Sequence, residues 1–459
     1  MATLTNVPYD ALAIGQRSEL RRTATVDDFT VFANASGNHN PMHLAAYDGD
    51  GDGVPEAVAP ALWLASLVSA VLGNRLPGPG TQYLSQTLAF PGTAVEGDDL
   101  IIAVEVLEKA AARAVRLATT VNHADGPAVL TGEAWVRAPA TALTFKDLSV
   151  PGLIVERHRH FEALIAKAEA LPPLPTAVVA PEDDHALAGA LLAHRHRIIT
   201  PLLVGAPARI AAAARAIEAP LEGFEIVDAP TPEAAAETAV ALVEAGRAHA
   251  IMKGHLQTRT LLRACLRKEG GLRTGRRFTH VFVMDVPGLP YPLLVSDAAI
   301  NIAPDLLTRV DIVQNAIDVA RAIGIETPKV GVLSAVETVN PKIPSSVDAA
   351  LVAKMAERGQ ITGGLVDGPL AMDNAVDLTA ARTKGLRSQV AGRADILIVP
   401  NLDAGNMLAK QLIYVSHAEG AGLVVGARVP IILNSRADHD TARLASCAVA
   451  ALHHQWVRR

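Results

Sequence analysis

The chain has 459 residues, of which 50% are hydrophobic, 19% charged and only 3% aromatic. Such a length allows about three domains at roughly 150 residues each, and the apolar content excludes wholesale disorder. Lys and Arg number 41 against 47 Asp and Glu, a net charge of −6, which excludes an electrostatic footprint for nucleic acid as a principal partner.

Residues 1–16 hold no basic segment followed by an apolar core, so no signal peptide is expected. Residues 57–72 are apolar but fall short of the roughly 20 needed to span a bilayer. Pro60, Ser66 and Ser69 interrupt them, so the pattern predicts a buried core helix over 60–73 and no membrane span. Strand-like runs follow at 82–90, 100–107, 114–122 and 129–137, punctuated by Gly and Asp at 97–99 and 123–126. One long helix followed by successive antiparallel strands is an α+β pattern, a sheet wrapped around a helix, over residues 1–140.

Residues 141–174 read as a helical linker, with Val155, Phe161, Leu164 and Ile165 on one face, ending at the LPPLP of 171–175. From 175 to 459 the rhythm becomes βαβα. Buried parallel strands are predicted at 176–180, 199–205, 224–229, 248–254, 280–286, 329–334, 394–400 and 422–426. Thr231-Pro232 marks a helix start, and Pro344 to Asp348 resembles a capping box. The expectation is a two-lobed α/β domain with mainly parallel sheets.

Several motifs point to bland readings. Asp48, Asp50 and Asp52 with Gly53 have calcium-loop spacing, but the twelfth position, which needs a Glu, is Ala59. No Gly-x-Gly-x-x-Gly, phosphate-loop lysine or HExxH is present. His194 and His196, two apart on a helix, point to different faces. Cys265 and Cys447 form neither a CxxC pair nor a zinc-ligand spacing, so packed thiols in a reducing cytoplasm are expected.

The segment FANASGNHNPMHL (32–44) places a turn, Ser36-Gly37-Asn38, before Asn40-Pro41-x-His43. Proline fixes the chain just ahead of an imidazole that can act as a base or orient water, and an ordinary polar turn is the alternative. This segment and the text at 58–100 resemble the MaoC-like, hot-dog-fold family of enoyl-CoA hydratases, a similarity covering about residues 10–138. The resemblance implies that a carboxylate and an imidazole, five residues apart, activate the water added to an enoyl thioester. His43 matches the family His, and Asn38 stands where the family has Asp. An amide accepts no proton at neutral pH, though it hydrogen-bonds water, so the implied hydratase is impaired.

The informative part of the second half is four segments. MKGHLQT at 252–258 ends a strand at Lys253-Gly254 and starts a helix near Gln257, so Lys253, Thr258 and Arg263 are candidate phosphate or CoA contacts. SDAAINIAPD at 296–305 sets Asp297 and Asn301 four apart. VPNLDAGNMLAKQL at 399–412 leaves a strand at Pro400 and enters a helix near Gly405-Asn406. IILNSRADHD at 431–440 ends a strand directly at Ser435-Arg436, and an arginine fork there can hold phosphate bidentately.

These segments, together with GLRTGR and KVGVLSAVE, resemble the phosphate acetyl/butyryltransferase family over about residues 175–459, in wording closer to the butyryl branch. The whole chain is similar to two-part bacterial proteins joining an enoyl-CoA hydratase to a phosphate acetyltransferase. The resemblance implies acyl transfer between CoA and inorganic phosphate, with no tightly bound cofactor and no metal. Arg436 then holds phosphate, Ser435 stabilises the reacting carbonyl or thiolate, Arg263 and Asn406 contact substrate, and Asp440 is the candidate acid/base. The family's acidic position is Ala442 here. Small-molecule substrates, no nucleic-acid or membrane partner and a homo-oligomer are expected. A non-catalytic acyl-CoA-binding protein and a hydratase-only enzyme are the alternatives.

Overall fold

The structure is a computed structural model that describes residues 2–44, 53, 57–148, 153–155, 157–433 and 440–458. The chain divides into two compact units, Met1–Val155 and Glu156–Arg459.

The first unit runs β1 (Ala2–Thr5), β2 (Arg17–Thr23), α1 (Val26–Ser36), α2 (Ala61–Asn74), β3 (Gln82–Ala89), β4 (Asp99–Lys109), β5 (Ala114–His123), β6 (Ala128–Arg137) and β7 (Thr144–Leu148). Five strands form one antiparallel sheet in the order β2-β4-β5-β6-β3, and β1 pairs with β7. The sheet packs around α2, as the pattern predicts. Trp63, Leu64, Leu67, Val68 and Val71 of α2 are buried against Leu100, Ile102, Leu117 and Val136. Along β5, buried and partly exposed residues alternate, the period-two signature of a sheet with one face in the core. The helix α1 was not anticipated. Thr25 caps it by accepting from Asp28 N–H at 3.2 Å and donating to the Asp28 carboxylate at 2.7 Å.

The second unit runs α3 (Arg159–Glu169), β8 (Leu174–Val179), α4 (Asp184–Arg195), β9 (Ile199–Gly205), α5 (Pro207–Ala216), β10 (Glu225–Asp228), α6 (Pro232–Glu244), β11 (Ala250–Lys253), α7 (Thr258–Cys265), β12 (Thr279–Asp285), β13 (Leu293–Ser296) and α8 (Leu306–Ala322). It continues with β14 (Lys329–Leu333), α9 (Pro344–Glu357), β15 (Leu365–Leu370), α10 (Met372–Val376), α11 (Leu378–Thr383), β16 (Ile396–Ile398), α12 (Leu402–Tyr414), β17 (Glu419–Val425), β18 (Ile431–Ile432) and α13 (Asp440–Val457).

Its strands make one mixed, mostly parallel sheet of 11, in the order β10-β9-β8-β11-β18-β17-β12-β13-β16-β14-β15. The sheet has two parallel blocks, β10 to β18 and β13 to β15, running in opposite directions. Antiparallel pairing of β18 with β17, β17 with β12 and β12 with β13 joins them. The runs at 280–286 and 422–426 therefore lie antiparallel to each other. A strand buried on both faces is apolar throughout whichever way its neighbours run, so sequence could not set the direction.

Helix α3 packs on α13 and β12, with Phe161, Leu164 and Ala168 in the second unit's core. Asp285 at the end of β12 accepts from the Phe161 N–H at 2.9 Å. Thr231 caps α6 as read, accepting from Ala234 N–H at 3.1 Å. The start of α9 differs: its N-cap is Ile343, whose side chain has no acceptor, and the Ser346 hydroxyl turns back to the carbonyls of Asn340 and Ile343. Helix α12 also starts earlier than Gly405, at Leu402, where Asn401 accepts from Ala404 N–H at 2.9 Å. Cys265 and Cys447 are buried free thiols, both pushed up to about 12 by burial. Among the described residues no helix is long and apolar enough to cross a membrane.

Candidate active sites

In the first unit, Asn38 and His43 line one cavity. The chain leaves α1, turns at Asn38, where the side-chain carbonyl accepts from Asn40 N–H at 3.3 Å, and enters a short 3-10 turn over Pro41–His43. Asn40 caps that turn by accepting from Met42 N–H. His43 is buried, and its Nδ1 lies 2.7 Å from the carbonyl of Val58. A carbonyl only accepts, so Nδ1 carries the proton and Nε2 keeps the lone pair of a base. The cavity holds about 520 Å³ and is walled mainly by apolar residues, among them Phe32, Met42, Leu62, Leu64 and Phe90. With the Asn38 carbonyl committed to the turn, what that residue offers is an amide N–H donor. The aspartates at 48, 50 and 52 lie outside the described residues.

In the second unit the sheet sets the ends of two of the predicted segments side by side. Strand β18 lies parallel beside β11, with Met252 level with Ile432, so Lys253 ends its strand next to Leu433. Neighbouring strands stand about 4.8 Å apart. Ser435 and Arg436 lie outside the described residues. The described residues on either side of them are Leu433 and Asp440, the exposed first residue of α13. Thr258 opens α7, Lys253 is half-buried, and Arg263 is exposed in the last turn of α7. The loop before α7 is pinned by His255, whose Nδ1 is 2.5 Å from Asp183. Burial pushes the Asp183 carboxyl up, but the Ala186 N–H and His255 outweigh it and hold it below the usual carboxylate range.

Asp297 organises the third segment. Its buried carboxylate accepts from the N–H groups of Ala299, Ile300 and Asn301 and from the Asn301 side-chain amide. Asn301 in turn donates to the Phe278 carbonyl at 2.9 Å. Ile300 from this loop and Leu433 pack against the same apolar cluster, which includes Leu256 and Leu261. Helix α12 closes on the loop through Gly405, where a Cβ would lie 2.8 Å from the Asp297 carbonyl and 3.0 Å from the Ala298 Cα. One turn of that approach places Asn406 with Ala298, Ala299 and Met407 around a recess of about 340 Å³. Ala442 is buried. Sequence reasoning overlooked His280, a buried imidazole beneath these loops, since one His inside an apolar strand carries no motif. Among the described residues no group of three or more His, Cys, Asp or Glu could hold a metal ion.

Lys253 and Thr258 thus lie at the strand-to-helix junction after β11, and the Asp297 loop with Asn406 at a second one after β13 and β16. A family profile described as phosphate acetyl/butaryl transferase matches residues 231–451, and one described as MaoC like domain matches 11–126. The phosphate acetyltransferase of Rhizobium meliloti is 56% identical over 293 residues, covering 64% of this chain and 93% of that protein. The phosphate butyryltransferase of Clostridium acetobutylicum is 42% identical over 294 residues, covering 64% of this chain and 98% of that protein. The solved branched-chain phosphotransacylase of Enterococcus faecalis superposes with a TM-score of 0.53 at 31% identity, covering 61% of this chain and 99% of that one. The chain belongs to the phosphate acetyl/butyryltransferase family and carries an N-terminal MaoC-like hot-dog domain. Identity is higher to this acetyltransferase than to this butyryltransferase, contrary to the expectation from wording.

Proposed function

We propose that the second unit exchanges acyl groups between CoA and inorganic phosphate, acyl-CoA plus phosphate giving acyl phosphate plus CoA. The observation that carries this reading is the 56% identity to the Rhizobium meliloti phosphate acetyltransferase over 93% of its length. The end of β11 beside the end of β18 supports it, because Lys253 then neighbours Leu433, from which the chain leads into Ser435 and Arg436. In this reading Arg436 grips phosphate with its guanidinium fork, and Lys253, Thr258 and Arg263 add positive charge and donors. A phosphate oxygen attacks the thioester carbonyl carbon. Ser435 donates to the oxyanion, the C–S bond breaks, and the CoA thiolate takes a proton, with Asp440 as the acid/base. Asn406 and its recess receive part of the CoA. Holding both substrates in one cleft replaces an encounter with an effective molarity of up to about 10⁵–10⁸ M. The test is phosphate-dependent thiol release from acetyl-, propionyl-, butyryl- and crotonyl-CoA by the full chain. No phosphate-dependent release from any of them would refute the assignment.

A second activity is supported by one observation in the first unit, an imidazole held by the Val58 carbonyl over an apolar cavity. We read it as an enoyl-CoA hydratase-like site in which His43 is the base and Asn38 orients water, slow for want of a second proton acceptor. A non-catalytic acyl-CoA-binding protein is not favoured. Strand β3 also supports the expected homo-oligomer. It is an edge strand without a charged residue, and Tyr83, Leu84 and Leu88 are exposed. The buried free thiols fit a cytoplasmic protein.

A further inference from the structure

His280, the second residue of β12, is 2% exposed, and its Nδ1, shut away from solvent, has no hydrogen-bond partner among the described residues. Leaving a buried polar atom unmade costs about 1–3 kcal/mol. No hydrogen bond in its packing uses Nδ1. The ring sits edge-on to Phe282 with centroids 4.3 Å apart, on a sheet face that a phenyl group would suit. Burial holds the imidazole neutral, its pKa pushed down to about 4 although the Asp297 charge nearby favours protonation. A polar ring kept where an apolar one fits is a cost to stability, and such costs mark functional sites.

Its place in the fold says which site. Across the sheet, a Cβ on Gly422 would lie 3.1 Å from His280 Nε2 and 2.6 Å from the Leu433 carbonyl oxygen, so the ring and that carbonyl both border the space that Gly422 leaves open. Leu433 N–H donates to the Gly422 carbonyl at 3.2 Å. On the other side, the backbone carbonyl of His280 accepts from the Ser296 hydroxyl at 2.8 Å, one residue before Asp297. The backbone of His280 is thus tied to the strand that leads into Asp297, and its ring borders the end of β18.

We propose that His280 is a positioning residue for acyl transfer: its imidazole, facing the Leu433 carbonyl across the space over Gly422, sets the position of the end of β18, from which the chain leads into Ser435 and Arg436. An imidazole N–H beside the Leu433 carbonyl steers that carbonyl by a dipole that a phenyl ring lacks. The inference rests on the transferase reading of this cleft.

The experiment uses the full chain as wild type, His280→Phe and His280→Gln, with thermal midpoint, kcat and both KM values measured for acetyl-CoA and phosphate. His280→Phe should melt at or above the wild type, because the orphaned nitrogen is gone. Its kcat should fall at least about tenfold with each KM changed by less than about threefold, the signature of lost positioning rather than lost binding. His280→Gln, which returns an N–H near the Nε2 position, should recover part of kcat. Wild-type kcat in His280→Phe overturns the proposal, as does a loss matched by a lower midpoint that Gln does not relieve. Should His280→Phe not fold, His280→Asn, whose amide is withdrawn from Leu433, decides in its place. Wild-type kcat there overturns the proposal, and a tenfold loss at steady KM supports it. A wild type with no phosphate-dependent CoA release overturns the transferase reading itself, and the proposal with it.

Discussion

Helix α3 sets where the transferase part of the chain must begin. Reading 141–174 as a linker makes residues 175–459 a natural fragment, yet Phe161 is wholly buried and Leu164 is 4% exposed in the second unit's core. Burying a Phe or Leu side chain is worth about 1.5–3 kcal/mol, so losing this pair removes about 3–6 kcal/mol. Cutting away the helix also uncovers the faces of α13 and β12 that it protects, and it removes the Phe161 N–H from Asp285. Whole-protein stability is only about 5–15 kcal/mol, so the loss approaches the total. At about 2–4 °C per kcal/mol, fragment 175–459 should melt about 6–24 °C below fragment 157–459, or fail to stay soluble. Calorimetry or circular dichroism on both fragments reads this directly, and Phe161→Ala in the full chain should cost about 3–5 kcal/mol by denaturant titration. Equal midpoints for the two fragments would refute the claim that α3 belongs to this core. If 157–459 is folded and lacks the acyl transfer that the full chain performs, the first unit is needed for activity.

Three further outcomes test the sites. Arg436→Gln should lower turnover and weaken phosphate use by about 10- to 150-fold, the worth of a charge-assisted hydrogen bond, and Arg436→Lys should restore only part; initial rates against phosphate concentration check this. Asn38→Asp keeps the acceptor that bonds Asn40 N–H and adds a group that takes a proton, so crotonyl-CoA hydration should rise at least about tenfold. Adding His43→Ala to that variant should abolish the gain, whereas no gain in a folded Asn38→Asp protein would point to wider decay of the first site. Gly405→Ala should favour the helix by about 1 kcal/mol from propensity alone. Its methyl meets the Asp297 carbonyl and the Val399 side chain, each at 2.8 Å, so a net loss of about 1–3 kcal/mol is expected in thermal denaturation, with reduced transfer activity.

Much of this architecture was legible in residue order. The apolar run at 60–73 became α2, and the alternating strands after it became the wrapped sheet, because one buried face imposes period two on a strand and a wholly apolar helix must lie in a core. The βαβα rhythm located β9 at Ile199–Gly205 and placed β8, β11, β12 and β14 within a few residues of their ends. Strands β13, at LLVS, and β15, at LVDGPL, went unread, being short and interrupted by Gly and Pro in the second case. Of the site residues, Asn38 and His43 could be paired because they share one local turn, and Lys253 with Thr258 because a strand-to-helix junction holds both.

What sequence by itself determined was local: which stretches are apolar, with what period, and where turns and caps interrupt them. Tertiary structure alone decided the rest. Strand direction is one case, since β12 and β17 pair antiparallel between two opposed parallel blocks although their residues read like any doubly buried strand. The docking of α3 is another, because an amphipathic face shows that a helix must be covered and not by what. The pairing of Lys253's strand with that of Leu433, and the approach of Gly405 and Asn406 to the Asp297 loop, join residues up to 180 positions apart, which no local pattern encodes. His280 shows the same limit most plainly: its role follows from what its ring does not touch, and that exists only once the chain is folded.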